Sequence, residues 1–148
     1  MDSREAIARE EIRELVARYN QLGDSGRLSS LAELFDEAAV LEVGAARYEG
    51  RAAIEAMLGG AAAETRSGAG ARLIRHFVAT HAIDFAAEDR ASGRCYFLVL
   101  TDQGLDHWGR YSDTYRREDE RWFFAARRVT VDGQIPGGWA ERAFARLR

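Results

Sequence analysis

The chain has 148 residues, of which 47% are hydrophobic and 30% are charged, and these proportions are typical of one globular domain. Twenty-one Lys and Arg residues stand against 24 Asp and Glu residues, so the formal net charge is -3. This balance creates no overall positive field that would attract a phosphate backbone, and we expect no nucleic-acid partner.

The N-terminal residues lead straight into a charged amphipathic segment rather than an apolar signal core. No run of about 18 apolar residues occurs, so we expect a cytoplasmic protein that does not insert into a membrane. The single cysteine, Cys95, lies in an apolar run and is expected to be a buried, unreactive thiol. One cysteine excludes an intrachain disulfide.

Two helices are predicted at the start of the chain. The first begins near Ser3 and carries apolar residues at helical spacing. These residues are Ile12, Leu15, Val16, Tyr19 and Leu22. Two glycines that flank Asp24 and Ser25 end this helix, and a second helix follows with one apolar face, made of Leu28, Leu31, Leu34 and Phe35. Asp24 thus lies at the bend of a helical hairpin, where it is also suited to cap the second helix.

Residues 39–43 then predict a short strand, followed by a turn and a shorter extended piece that contains Tyr48. A third helix opens at Gly50-Arg51, with Ile54, Met57 and Leu58 on its inner face. Residues 59–71 are rich in Gly and Ala without clear periodicity, so they predict a mobile connection able to cover a pocket.

Four extended runs follow, at residues 73–85, 92–101, 105–117 and 122–131, and they predict an antiparallel meander. The expected fold is of the α+β class, with three N-terminal helices packed on a curved, mainly antiparallel sheet. We expect one domain over residues 1–148, with its core at 5–132 and a C-terminal tail at 133–148. Such a cone-shaped fold leaves a concave apolar cavity, so its polar strand residues are the candidates for function.

The three histidines lie in or beside predicted strands. His76 is expected on the face opposite Phe77, where a lone strand histidine is usually structural. His81 comes five residues later and should face the other way unless a bulge intervenes, which disfavours a two-histidine metal site. His107 either reaches the cavity or caps its hairpin. We expect neither a metal nor a cofactor.

The remaining candidates are aromatic or charged. Tyr48, Trp108 and Tyr111 are expected in the core or the cavity wall. Arg127 and Arg128 are adjacent, so one of them should point inward and would need an acidic partner or an anionic ligand. Two aspartates of the third long strand, at positions 106 and 113, are expected to be exposed.

This pattern resembles the SnoaL-like polyketide cyclases of the nuclear transport factor 2-like superfamily, which also includes scytalone dehydratase, bile acid 7α-dehydratase, ketosteroid isomerase and hexachlorocyclohexane dehydrochlorinase. The resemblance covers residues 12–131. The stretches that carry it are Leu15-Val16-Ala17-Arg18-Tyr19 with Asp24, Leu31-Ala32-Glu33-Leu34-Phe35, Tyr48-Glu49-Gly50-Arg51, Arg75-His76-Phe77, Gly109-Arg110-Tyr111 and Arg121-Trp122-Phe123-Phe124.

The resemblance implies roles for individual residues. In the dehydratase and dehydrochlorinase branches, an aspartate at the end of helix one pairs with a histidine early in the sheet, and Asp24 and His76 match those places. Tyr19 matches a tyrosine of the bile acid dehydratase, and Arg127 resembles an arginine that helps the dehydrochlorinase to hold a leaving group. The catalytic aspartate of ketosteroid isomerase and of SnoaL-type cyclases has no clean match.

The resulting hypothesis is a cofactor-independent lyase or isomerase for a mid-sized hydrophobic substrate. His76 acts as general base, Asp24 orients it, and Tyr19 donates a hydrogen bond. Tyr48, His107, Trp108, Tyr111 and Arg127 are candidates for substrate binding. The alternatives are a non-catalytic binding domain, which a wide separation of Asp24 and His76 would favour, and a cyclase or epoxide hydrolase.

Aromatic residues at 96–99 and 122–124 also predict a homodimer.

Overall fold

A computed structural model describes residues 1–66 and 73–145, and this part of the chain contains four helices and six strands. In chain order the elements are α1 (Ser3–Asp24), α2 (Leu28–Ala32), β1 (Phe35–Val43), β2 (Ala46–Glu49), α3 (Arg51–Arg66), β3 (Ile74–Ala87), β4 (Arg90–Thr101), β5 (Gly104–Glu118), β6 (Arg121–Gln134) and α4 (Trp139–Ala145). The helices pack on a curved, unclosed sheet, which confirms the α+β class. None of the helices described is both long and apolar enough to cross a bilayer.

The six strands form one sheet in the order β2-β1-β6-β5-β4-β3. All neighbours are antiparallel except β1 and β6, which pair in parallel with Leu41 opposite Arg127. Side chains alternate along the long strands, so that Cys95, Phe97 and Val99 of β4 are buried while Tyr96 and Leu98 are exposed. α1 packs against β3 and β6, and α3 packs against β1 and β2, which leaves the other sheet face open.

α1 begins and packs as its sequence predicts. The Asp2 carboxylate accepts a hydrogen bond from the backbone N–H of Glu5 at 2.8 Å, which satisfies one of the free donors of the first turn. Ile12, Leu15 and Val16 are buried against the sheet. The helix continues to Asp24, so that residue closes α1 and stands at the entrance to the hairpin.

The second helix is shorter than predicted. α2 ends at Ala32, and Phe35 already begins β1. The carbonyl of Leu34 accepts a hydrogen bond from the backbone N–H of Phe124 at 2.9 Å, and the Phe35 carbonyl accepts from Arg51. Sheet pairing therefore overrides the helical spacing at residues 34 and 35.

The connection predicted at residues 59–71 is wrong over its first part. α3 continues to Arg66, through Gly59 and Gly60, while residues 67–71 lie outside the described part of the chain. Alanine has the highest helix propensity, and the three consecutive alanines from Ala61 to Ala63 extend the helix beyond the two glycines.

α4 lies in the segment that the sequence suggested only as a tail. Its first backbone N–H groups, those of Trp139 and Ala140, donate to the Asp106 carboxylate at 2.6 and 3.0 Å. This cap comes from β5, and it satisfies two donors that a helix leaves without partners at its start. The prediction that Asp106 is exposed is wrong, because its side chain is buried under α4.

A buried ion pair joins β5 to β6 behind the helices. Arg127 donates to both oxygens of Asp113 at 2.8 Å, and both side chains are fully buried. The guanidinium lies between the rings of Tyr19 and Tyr111, 4.1 and 3.9 Å from their centroids. Burial opposes the charge on Arg127, yet the carboxylate holds its pKa well above the usual value. The expectation that Asp113 is exposed is therefore wrong, and Arg127 is the inward member of its pair.

We expect Asp113→Ala to lower the free energy of unfolding by about 3–5 kcal/mol, because it leaves the Arg127 charge buried without its partner. Urea unfolding followed by circular dichroism measures this loss. Asp132→Ala is the matched control, since Asp132 pairs with Arg110 on the exposed side of the same strands and should cost less than about 1 kcal/mol. Equal losses in the two variants would contradict this account of the buried pair.

Candidate functional site

The helices and the inner face of the sheet enclose a cavity of about 660 Å³. Its walls come from α1, α3, α4 and the inner face of the sheet, and most of the lining side chains are apolar. Six of the predicted site residues line it, namely Asp24, His76, His107, Tyr19, Tyr48 and Tyr111. A cavity of this size fits a mid-sized organic molecule.

Asp24 and His76 meet directly in this cavity. The Asp24 carboxylate contacts Nδ1 of His76 at 2.6 Å and accepts a second hydrogen bond, at 2.9 Å, from the His76 backbone N–H. α2 starts after Arg27 without a side-chain cap, so Asp24 does not cap it. Because an ionised carboxylate only accepts, Nδ1 carries the proton in the neutral ring, and Nε2 is left with its lone pair.

His107 forms a second pair of the same kind, which the sequence did not reveal. Its Nδ1 contacts the Asp106 carboxylate at 2.8 Å, although neighbouring residues in a strand normally face opposite ways. Val99 pairs with His107 and Leu100 with Leu105, so Asp106 is the extra residue of a β-bulge. The bulge turns both side chains inward. The ring centroids of His107 and His76 are 6.4 Å apart.

The three tyrosines of the cavity wall differ in their surroundings. Tyr111 donates to the Oδ1 atom of Asn20 at 3.4 Å and stacks on Phe97, so its hydroxyl already has a protein partner. The Tyr19 ring packs edge-on against Phe35, Phe124 and Tyr111. Burial raises the pKa of Tyr19 and that of Tyr111, which keeps both phenols neutral and able to donate. Tyr48 reaches the cavity from β2.

Two residues predicted to bind substrate do not line the cavity. Arg127 lies behind Tyr19 and Tyr111, with its charge paired to Asp113. Trp108 lies on the open face of the sheet and is 39% exposed, because strand alternation places it opposite His107.

His81 faces inward, on the same side as His76. Pairing between β3 and β4 shifts after Ala79, and Thr80 has a φ of 57°, so a bulge reverses the expected alternation. The Nε2 atom of His81 contacts the Tyr115 hydroxyl at 3.2 Å. Within residues 1–63 and 73–145, no group of three His, Cys, Asp or Glu side chains is arranged to hold a metal ion.

Cys95 is buried, as its apolar surroundings in the sequence predict. Burial raises the pKa of its thiol to about 11. A thiol is the unreactive form of cysteine, so this residue contributes packing rather than chemistry.

Comparison with known proteins places the chain in a family. Residues 4–128 match the family model of the SnoaL-like domain. No curated protein sequence shows significant similarity to the chain. Among solved structures, a nuclear transport factor 2-like protein with a cystatin-like fold from Novosphingobium aromaticivorans is 32% identical, with a TM-score of 0.73, and the match covers 95% of this chain and 88% of the other.

Two further structures share the fold at lower identity. A proposed scytalone dehydratase from Novosphingobium aromaticivorans is 23% identical, with a TM-score of 0.79, and the match covers 91% of both chains. A hexachlorocyclohexane dehydrochlorinase is 18% identical, with a TM-score of 0.78, and the match covers 92% of this chain and 93% of the other.

Two histidines, the half-buried His81 and the buried His107, make stability depend on pH. Burial lowers the pKa of His81 and of His107, whereas both titrate near 6.5 in the unfolded chain. Below about pH 6.5 the unfolded chain therefore binds protons that the folded chain does not, so the free energy of unfolding falls as pH falls. Urea unfolding at pH 7.5, 6.5 and 5.5 should show this decline.

His81→Gln should flatten the decline, because glutamine can still meet the Tyr115 hydroxyl but does not titrate. A free energy of unfolding that rises between pH 7.5 and 5.5 in the unmodified protein would contradict the assignment of neutral buried imidazoles.

Proposed function

Because the chain belongs to the SnoaL-like domain family and its cavity joins an aspartate to a histidine, we propose a cofactor-independent lyase or isomerase. The reaction is a dehydratase-type elimination or a shift of a double bond in a mid-sized hydrophobic molecule. The direct contact between Asp24 and His76 supports this proposal most strongly. A wide separation would instead have favoured simple binding.

The reaction begins when Nε2 of His76 removes a proton from a carbon next to a carbonyl group. The electron pair of the broken C–H bond forms a new double bond, and negative charge develops on the carbonyl oxygen. Asp24 holds the imidazole in the tautomer that exposes the Nε2 lone pair, and it stabilises the imidazolium that forms. In an elimination, a β-hydroxyl then leaves with the proton; in an isomerisation, the proton returns to another carbon.

Tyr19 is the proposed donor to the developing oxyanion. Its phenol lines the cavity, and burial raises its pKa, so it remains a neutral hydrogen-bond donor. Tyr48 and His107 are proposed to contact the rest of the substrate. The apolar lining favours a steroid, polyketide or aromatic breakdown product over a sugar or a nucleotide.

Proton exchange tests the general base without knowledge of the natural substrate. In D₂O the protein should exchange the acidic C–H protons of a bicyclic ketone, 2-tetralone, or of a steroid ketone, 5-androstene-3,17-dione, faster than buffer does. His76→Ala and Asp24→Asn should each slow this exchange at least about a hundredfold. Proton NMR of the ketone measures the rate.

His81→Gln is the matched control, because His81 faces the same side of β3 but contacts Tyr115 instead of Asp24. Its exchange rate should equal that of the unmodified protein. Full exchange activity in His76→Ala would overturn the proposal. Binding of both ketones without any exchange would favour the alternative of a non-catalytic binding domain.

We also propose that the open face of the sheet pairs with a second copy of the chain. Phe77, Leu98 and Trp108 lie side by side on β3, β4 and β5 and are 52%, 39% and 39% exposed. Of the residues first suggested for this contact, Tyr96 and Leu98 are available. Trp122 and Phe124 are buried in the core under the helices, so that part of the prediction is wrong.

Leu98→Lys should convert the homodimer into a monomer, because it places a charge at the centre of this apolar row. Light scattering coupled to size exclusion measures the mass. Ile7→Lys is the control, since Ile7 is an exposed apolar residue of α1 away from the sheet. A monomer in the unmodified protein, or a dimer that survives Leu98→Lys, would contradict this interface.

A further inference from the structure

The His107 pair has no role in the proton transfer proposed for His76. Its ring is 3% exposed and surrounded by Phe97, Trp139 and Phe144, at centroid distances of 5.7, 5.9 and 5.6 Å. It nevertheless lines the same cavity as His76. A polar ring in such apolar surroundings costs free energy unless its hydrogen-bonding groups are used.

The partners of Asp106 determine which nitrogen of His107 carries the proton. The carboxylate accepts from the backbone N–H groups of Trp139 and Ala140, so it is held as an acceptor at the start of α4. Nδ1 of His107 contacts the same carboxylate at 2.8 Å and must therefore donate. In the neutral ring the proton is then on Nδ1, and Nε2 is an acceptor.

Nε2 of His107 has no hydrogen-bond partner among residues 1–63 and 73–145. The two ring nitrogens diverge, so Nε2 is turned away from Asp106. Burial lowers the pKa of His107, and a positive charge on His76 would lower it further, so the ring stays neutral near pH 7. Nε2 is not among the buried atoms without a partner, and His107 lines the cavity, so this nitrogen is an acceptor that a ligand in the cavity can reach.

We propose that Nε2 of His107 accepts a hydrogen bond from a hydroxyl group of the substrate, and that this bond selects hydroxylated ligands. This inference rests on the proposed function for the location of the reacting carbon beside His76. The centroids of the two imidazoles are 6.4 Å apart and both rings line the same cavity, so one ligand can contact both. The substrate class is therefore a hydrophobic molecule that carries an acidic C–H and, a short distance away, a hydroxyl group.

The chemistry distinguishes this class from close analogues. A ketone, an ether or a halide in place of the hydroxyl brings only acceptors to the His107 acceptor, and Nε2 then receives no hydrogen bond from the ligand. A site built to bond a hydroxyl discriminates strongly against analogues that lack it, whereas an apolar pocket does not. His107 is in this view a specificity-determining residue and His76 the catalytic one.

A matched pair of ligands tests the proposal by equilibrium binding. 2-Naphthol donates a hydrogen bond, whereas 2-methoxynaphthalene only accepts one, and both are smaller than the cavity. Calorimetric titration should give a dissociation constant roughly tenfold lower for 2-naphthol, the scale of one buried hydrogen bond.

Two variants of His107 separate its two nitrogens. In His107→Gln the side-chain oxygen can reach the place of Nε2, so the preference for 2-naphthol should persist. In His107→Asn the amide can reach the place of Nδ1 and keep the bond to Asp106, but nothing replaces Nε2, so the ratio of the two dissociation constants should fall to about one. Thermal unfolding checks that both variants fold.

Nitrogen NMR of the unmodified protein gives a second readout that needs no variant. We expect His107 in the form protonated on Nδ1, with an Nε2 resonance that moves on addition of 2-naphthol and not on addition of 2-methoxynaphthalene. The proposal would be overturned by a proton on Nε2 of the neutral ring. It would also be overturned if the ratio of the two dissociation constants stayed unchanged in His107→Asn, or if His76→Asn abolished the preference for 2-naphthol. Failure of both ligands to bind would overturn it as well.

These measurements require no turnover, so they separate the two proposals. If His107→Asn loses the hydroxyl preference and the unmodified protein shows no proton exchange, the cavity is a hydroxyl-selective binding site and the proposed reaction is wrong. If proton exchange depends on His76 but the two naphthalenes bind equally well, the proposed reaction stands and the hydroxyl selectivity of His107 is wrong.

Discussion

One carboxylate, that of Asp24, joins the end of α1 to the edge strand β3 through two contacts with His76. The contact with the backbone holds an edge strand that has a paired neighbour on one side only. The contact with the ring orients the imidazole toward the cavity. A displacement of α1 from the sheet would therefore open the cavity wall and misplace the histidine together, so the fold and the proposed chemistry depend on the same bond pair.

Three aspartates at or behind the cavity each have a separate partner. Asp113 neutralises Arg127 in the core, Asp106 caps α4 and holds His107, and Asp24 holds His76. A buried charge is tolerated when it is paired and hydrogen-bonded, and each of these carboxylates meets that condition. The arrangement leaves two histidines with a free acceptor nitrogen facing an apolar space, which is the basis of both proposals.

The element order was predictable because helical spacing and strand alternation are local signals along this chain. The errors fall where a local signal is misleading. Asp106 is the extra residue of one bulge and His81 follows another, and a bulge has no clear mark in a single sequence. α4 is short and depends on a cap from β5, so its own residues predict it poorly.

The sequence by itself determined the α+β class, the buried Cys95, the inward position of one of two adjacent arginines, and Asp24 and His76 as candidates. Whether those two residues meet was decided by the tertiary structure, because 52 positions separate them and only the packing of α1 on β3 brings them together. The same holds for the second pair. Asp106 and His107 are neighbours in sequence, yet it is the bulge in β5 and the helix that closes over it that turn them into one buried unit.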